Sequence, residues 1–210
     1  MPPQAAARAR PHRRPGAGTR RAPARPPLEI EIKLPAGDLT ALKRRLAQLG
    51  FRPAAARQLE RNWVFDDAAG GWRRTGRLLR LRQHGREWRL TAKGPARAGR
   101  HKRRPEIELP LAEGESFRRL ARLLGLGEHW YYEKYRTRWR QPQGGEAALD
   151  ETPTGNFLEL EGRAGWIDRT AKALGYSRAD YILASYAELY RRQHPGGGPM
   201  RFGRAAARRR

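Results

Sequence analysis

The sequence predicts an α+β domain: an eight-stranded antiparallel β-barrel, or tunnel, with helices packed on the outside. Three observations lead there. The stretch Leu28–Lys33 alternates without a break, so Leu28, Ile30 and Ile32 share one strand face and Glu29, Glu31 and Lys33 share the other. The two carboxylates then lie about 7 Å apart on that face. The same division into a greasy and a charged face recurs in eight candidate strands, mostly joined as hairpins. Finally, the amphipathic helical segments need an apolar surface to rest on. A sandwich would bury the apolar faces and leave the charges in water; eight strands closed into a barrel do the reverse, with helices covering the greasy exterior.

The elements follow in order. Pro35-Ala36-Gly37 is a turn, and Asp38 caps a helix whose Leu39, Leu42, Leu46 and Leu49 recur at helical spacing before Gly50 stops it. Leu59–Asp66 reads as a strand with Leu59, Arg61, Trp63 and Phe65 opposite Glu60, Asn62, Val64 and Asp66, followed by a loop at 67–71. A hairpin comes next: Leu79 and Leu81 alternate with Arg80 and Arg82, His84-Gly85 turns the chain, and Trp88, Leu90 and Ala92 alternate with Glu87, Arg89, Thr91 and Lys93. Gly94-Pro95 ends that strand, and 95–103 reads as a basic flexible loop. A fifth strand sets Arg104, Glu106 and Glu108 against Ile107 and Leu109. Gly114–Leu124 is a helix with Phe117, Leu120 and Leu124 as its buried stripe. The sixth strand, Tyr131–Arg140, gathers Tyr132, Lys134, Arg136, Arg138 and Arg140 on one face. A Gly144-Gly145 turn leads to a seventh strand ending at Asp150. Gly155 closes a hairpin, and the eighth strand sets Phe157, Glu159 and Glu161 against Leu158 and Leu160. A helix over 164–174 ends at Gly175. The last helix starts near Ser177, whose spacing to Asp180 fits a capping box, with Ile182, Tyr186, Leu189 and Tyr190 on its apolar side.

Charge divides the chain into three. The net charge is +24, but residues 1–27 hold seven Arg and no acid, and residues 191–210 hold seven more and no acid. The middle therefore contains every carboxylate, with 31 bases and 21 acids over 28–190. The expected organisation is a disordered Arg/Pro-rich tail over 1–27, a folded domain over 28–192 and a disordered basic tail over 193–210, the tails making at most weak contact with polyanions. No apolar run is long enough for a bilayer and no signal-peptide pattern is present, so the expected compartment is cytoplasmic, with no membrane partner. The absence of cysteine excludes disulfides, thiolate metal sites and cysteine nucleophiles. Histidines 12, 84, 101, 129 and 194 have no zinc-like spacing.

An interior lined by Glu29, Glu31, Glu106, Glu108, Asp150, Glu159 and Glu161 is costly unless its charges find partners. Arg80, Arg82, Arg89, Lys93, Lys134, Arg136 and Arg138 offset part of that cost. Clustered carboxylates suit a hard divalent cation, and surplus Arg and Lys suit a polyanion. Phosphate chains with Mg²⁺ or Mn²⁺ meet both demands.

The ordered set Glu29-x-Glu31-x-Lys33, Leu79-Arg80-Leu81-Arg82, Leu90-Thr91-Ala92-Lys93-Gly94-Pro95, Arg104-x-Glu106-x-Glu108, Lys134-x-Arg136, Asp150, Phe157-x-Glu159-x-Glu161 and Ser185-Tyr186-Ala187-Glu188-Leu189 resembles the CYTH-domain proteins of the triphosphate tunnel metalloenzyme superfamily. The resemblance covers about residues 28–190. It implies a metal-dependent hydrolase acting on a triphosphate-containing small molecule, with class IV adenylate cyclase as the alternative enzyme and thiamine triphosphate as another substrate. It implies metal handling by Glu29, Glu31, Asp150, Glu159 and Glu161, and substrate binding by Arg80, Arg82, Lys93, Lys134, Arg136 and Arg138. It also places Lys33 near the reacting phosphate, and Glu106 and Glu108 at a second metal or the attacking water. The chain departs from the family at Glu60-x-Asn62-x-Val64-Phe65, where relatives often carry Gln-x-Asp-x-Tyr-Phe. A non-catalytic polyphosphate- or RNA-binding module is the reading outside enzymology; seven inward carboxylates count against it.

Overall fold

The computed structural model describes residues 26–142 and 144–203. The expectations for 1–25 and 204–210 lie outside those residues. Eight strands form a closed antiparallel barrel: β1 (Leu28–Pro35), β2 (Arg52–Asp67), β3 (Leu78–His84), β4 (Glu87–Lys93), β5 (Lys102–Leu111), β6 (Leu126–Arg140), β7 (Glu146–Thr152) and β8 (Gly155–Glu161). Around the wall they run β1-β5-β4-β3-β2-β6-β7-β8, and β8 returns to β1 with Glu31 opposite Glu161 and Lys33 opposite Glu159. The helices are α1 (Leu39–Gln48), the single turn α2 (Gly71–Arg74), α3 (Gly114–Leu123), α4 (Ala164–Ala173) and α5 (Tyr186–Gln193). No helix among the described residues is long and apolar enough to cross a membrane.

The sheet is inside out, as the alternation predicts. The largest apolar cluster lies on the outer wall: Ile32, Leu34, Leu149, Leu158 and Leu160 from the strands meet Leu42 and Leu46 of α1 and Ile167 and Ala171 of α4. A second cluster joins Phe65, Leu79 and Leu81 to Phe117 and Ala121 of α3. Burying each such aliphatic side chain contributes about 1.5–3 kcal/mol, so the helices hold the wall from outside while the bore stays free for polar groups. Asp38 caps α1 as expected, its Oδ1 accepting from the Thr40 and Ala41 N–H groups.

Several local expectations change. β2 starts at Arg52 rather than Leu59 and β6 at Leu126 rather than Tyr131, because the two strands pair along their whole length. On α3 the buried residue is Ala121, beside Phe117, while Leu120 and Leu124 are exposed. The β3–β4 turn is Gly85-Arg86, because His84 and Glu87 still pair across the hairpin and Gly85 supplies the required positive φ of 60°. The loop before β5 is shorter than read from composition: Lys102 and Arg103 already pair with Glu31 and Ile30 of β1. The single last helix expected from Ser177 is instead a 3₁₀ turn (Arg178–Asp180) and, after a break, α5. Both starts carry capping boxes, Ser177 with Asp180 and Ser185 with Glu188. The break has a reason. Ile182 exchanges both backbone hydrogen bonds with Lys33, at 2.8 and 3.2 Å, and so satisfies the edge of β1 beyond the end of β5; a helix would leave those groups bare. Finally, the disorder expected from residue 193 gives way over 194–203 to a segment that packs on β6, with Met200 fully buried.

Candidate active site

The bore holds a cavity of about 1050 Å³. Glu29, Glu31 and Lys33 of β1, Arg80 and Arg82 of β3, Lys93 of β4, Glu106 and Glu108 of β5, Lys134, Arg136 and Arg138 of β6, and Glu159 and Glu161 of β8 all line it. Period-2 alternation aims each of them inward, and closure of the barrel brings side chains from six strands together. Of the expected site residues only Asp150 does not line the cavity. It is fully buried beneath the bases. A smaller cavity of about 430 Å³ at the β3–β4 turn shares Arg82, Arg89, Glu108 and Arg138 with the first.

Acids and bases are not evenly mixed. On one side Glu31 of β1 lies directly opposite Glu161 of β8, which lies opposite Glu146 of β7. Like charges directly opposite one another destabilise a sheet. Burial, then the Glu106 charge, pushes the Glu161 carboxyl up to about 7. Burial and the Glu31 charge push Glu29 up to about 8, although Lys93 Nζ sits 2.6 Å from it. Burial would raise Glu31 too, but Lys102 Nζ at 3.0 Å holds it down to about 2. Lys93 also reaches Glu106 at 3.1 Å.

The other side is a braced basic wall. Asp150 accepts from Lys134 Nζ at 2.9 Å, Arg136 Nε at 2.6 Å and the Tyr186 hydroxyl at 2.6 Å. Arg136 also pairs with Glu159, which lies 3.1 Å from Lys33 Nζ. Glu159 and Glu31 outweigh burial and raise the Lys33 pKa, so the ammonium is retained 4.5 Å above the Tyr186 ring. Burial opposes charge on Glu60, yet Arg82 and Lys134, each 3.6 Å away, hold its carboxyl well below the usual range. Arg82 Nε donates to Asn62 at 3.3 Å, and Arg80 donates to Tyr132 and Thr91. Glu108 accepts from Thr91 at 2.9 Å and Arg89 at 3.1 Å; burial opposes its charge, but Arg82 and Arg80 keep its carboxyl below the ordinary value.

Several functional contributors escaped the sequence reading. Glu60 and Glu146 had a usable signal, since each keeps an even offset from an inward residue of its own strand. Lys102 was hidden in a loop too long by two residues. Tyr132 carried the same signal, two residues before Lys134 on the inward face of β6, whereas Tyr186, outside the strands, had none.

The residue set fits a hard cation: its donors on the acidic side are all carboxylate oxygens, two of them raised in pKa by burial and then by neighbouring carboxylates. Among the described residues no three acidic or imidazole side chains already converge as a cage; Glu29, Glu31, Glu106 and Glu161 are held by bases or by one another's repulsion.

The mouth is bounded by Pro95–Lys102. His101 is buried there; its Nε2 lies 2.8 Å from Asp168 of α4, which also accepts from the Tyr181 hydroxyl at 3.0 Å. This anchor ties the basic loop to the outer helices. His101→Ala is expected to cost about 1–3 kcal/mol. Hydrogen exchange should quicken at amides 96–101 and stay slow in β3 and β6. Unchanged protection of the loop would show that the anchor does not hold it.

Fold and site together define a tunnel protein: a closed antiparallel barrel with clustered acids facing an Arg/Lys wall across an enclosed bore. Residues 27–186 match the CYTH domain, and the chain belongs to that family. A Methanocaldococcus jannaschii protein with the provisional name adenylate cyclase is 29% identical over 173 residues, 77% of this chain and 98% of its own. Among solved structures, a Vibrio parahaemolyticus protein provisionally named adenylate cyclase superposes with a TM-score of 0.69 at 18% identity, over 78% of this chain and 97% of that one. A Pyrococcus horikoshii protein gives 0.67 at 23% identity, over 79% and 99%. A Hippeastrum protein, provisionally named adenylyl cyclase and described as revealing a dominant triphosphatase activity, gives 0.56 at 18% identity, over 79% and 95%. These structural likenesses establish the fold.

Proposed function

We propose that the chain is a divalent-metal-dependent hydrolase of triphosphate compounds that cleaves a phosphoanhydride bond inside the tunnel. The observation that carries this reading is the grouping of charge around the bore, with Glu31, Glu161 and Glu146 in a row on β1, β8 and β7 and Arg80, Arg82, Lys134 and Arg136 together on β3 and β6; Arg138 joins the two groups through its 3.3 Å pair with Glu146. A pure anion binder gains nothing from the acidic row.

Glu29, Glu31 and Glu161, with Glu106 beside them, would hold the metal; Asp150 and Glu159 would join only by releasing Lys134, Arg136 or Lys33. Bound there, Mg²⁺ or Mn²⁺ would neutralise phosphate charge and polarise the oxygens along the chain. The protein's own part is preorganisation. Arg80, Arg82, Arg136 and Arg138 present planar forks that match phosphate oxygens. Asp150 and Glu60 keep Lys134 and Arg136 aimed while the bore is empty of substrate. Lys33, held charged beside Glu159, faces the reacting phosphate, and Glu106 and Glu108 accept protons' hydrogen bonds from an attacking water and orient it. Positioning and fixed charge are the usual route for phosphoryl transfer.

A second reading is cyclisation of ATP, favoured by the provisional name of the Methanocaldococcus jannaschii relative. The same clamp serves both reactions, with a ribose hydroxyl replacing water. One assay separates them. With tripolyphosphate or ATP and Mg²⁺ or Mn²⁺, we expect orthophosphate. Pyrophosphate with cyclic AMP would establish the cyclase instead, and tight binding without turnover would establish a binding module. Removal of the metal with EDTA should stop the reaction; undiminished turnover would rule the metal out.

A further inference from the structure

The family match ends at residue 186, yet the wall of the bore does not. After α5 the chain turns through Pro195-Gly196-Gly197-Gly198-Pro199 and lies along the edge of β6 that β7 leaves unpaired, since β7 pairs only from Tyr135 onward. Met200 N–H donates to the Tyr131 carbonyl at 3.0 Å, and Glu133 N–H donates to the Met200 carbonyl at 2.9 Å. The fully buried Met200 side chain packs with Tyr132, Phe157 and Tyr186. The Trp130 indole N–H donates to the Gly198 carbonyl at 2.9 Å, and the Trp130 ring stacks on Tyr132 with centroids 4.8 Å apart. Trp130, Gly197 and Gly198 all border the main cavity, beside Arg73 and Arg191.

The chemistry of the bore therefore changes along its length. Its depth is charged, whereas this mouth offers an indole ring and bare glycine backbone, flanked by two guanidinium groups. Gly197 and Gly198 have φ of +72° and +93°, and a Cβ at either would meet nothing within 4 Å. The space beside them is open, and the backbone there is one that side-chain-bearing residues rarely adopt. The whole bore, about 1050 Å³, is slightly larger than the about 300–1,000 Å³ of pockets that enclose a drug-sized organic ligand. A bare phosphate chain needs far less room.

We propose that Trp130 and the 194–203 strap form the subsite for the organic end of the substrate, selecting a triphosphate ester with a planar aromatic group, such as a nucleoside triphosphate, over inorganic triphosphate. This rests on the reading that the triphosphate lies among the tunnel bases. The indole, backed on one face by Tyr132, supplies a flat surface for the ring, and Gly198, bonded to the indole N–H at the ring's edge, keeps the space beside that edge clear of side chains.

The test compares kcat/KM for ATP with kcat/KM for tripolyphosphate in the full chain. The ratio is expected to fall roughly 10- to 100-fold in Trp130→Leu, the range seen when a base loses its stacking partner. Trp130→Phe should restore most of it. Gly198→Ala, which keeps the indole itself but strains the backbone bonded to it, should also lower the ratio, mainly through the KM for ATP. A ratio within threefold of wild type in both Trp130→Leu and Gly198→Ala, or an equal fall for both substrates, would overturn the subsite. Circular dichroism melts select the variants that fold. If the wild type turns over neither substrate, the hydrolase reading fails. The subsite is then judged by calorimetric Kd values for the imido analogues of ATP and tripolyphosphate, with the same ratio as the criterion.

Discussion

Glu31→Gln is expected to lower orthophosphate release from tripolyphosphate by roughly 100-fold or more, with the melting temperature within a few degrees of wild type. The substitution keeps the side chain's size and removes one charge from the acidic row, where Glu31 faces Glu161 across the β1–β8 ladder and lies two residues from Glu29. Lys102 holds this carboxyl ionised at any working pH, so the lost charge is a full one. Stability should change little, because relief of repulsion toward Glu161 and Glu29 offsets the loss of the Lys102 pair. Raising Mn²⁺ should recover part of the activity if the defect is metal affinity. Turnover near the wild-type rate would remove the acidic row from the mechanism.

Asp150→Ala should act through stability before it acts on turnover. Its carboxylate is fully buried and bound by Lys134, Arg136 and Tyr186. Removing it leaves Lys134 and Arg136 out of water with only Glu60 and Glu159 as counter-charges, and breaking such a buried pair costs about 3–5 kcal/mol. At about 2–4 °C per kcal/mol for a domain of this size, the melting temperature should fall by roughly 10 °C. Asp150→Asn should lose less, since its amide oxygen still accepts from the lysine or the tyrosine. Melts in EDTA keep any metal contribution out of the comparison. If Asp150→Ala melts within about 2 °C of wild type, the basic wall is braced by something other than this carboxylate.

Much of the site was readable because strand periodicity is local. Once Leu28, Ile30 and Ile32 are taken as the greasy face, Glu29, Glu31 and Lys33 must share the other, and the same holds for Arg80 with Arg82 and for Glu159 with Glu161. The misread parts are those whose conformation answers to distant chain. Ile182 leaves the helical pattern because Lys33 offers an unpaired strand edge. Met200 is ordered despite its Gly/Pro-rich surroundings because β6 outruns β7 and leaves a seat beside Tyr131 and Glu133. Lys102 belongs to β5 because Glu31 of β1 gives it a partner.

By itself, then, the order of residues determined which side chains face the bore, how many strands close it and what chemistry the bore can hold, because alternation and turn signals act over a few residues. Only the tertiary structure decided which charges neutralise one another and where the tunnel ends. Whether Asp150 is a free ligand or the brace of Lys134 and Arg136 depends on Tyr186, which is 36 residues away and on another element. Such pairings are set by barrel register and closure, which no single stretch of the chain encodes.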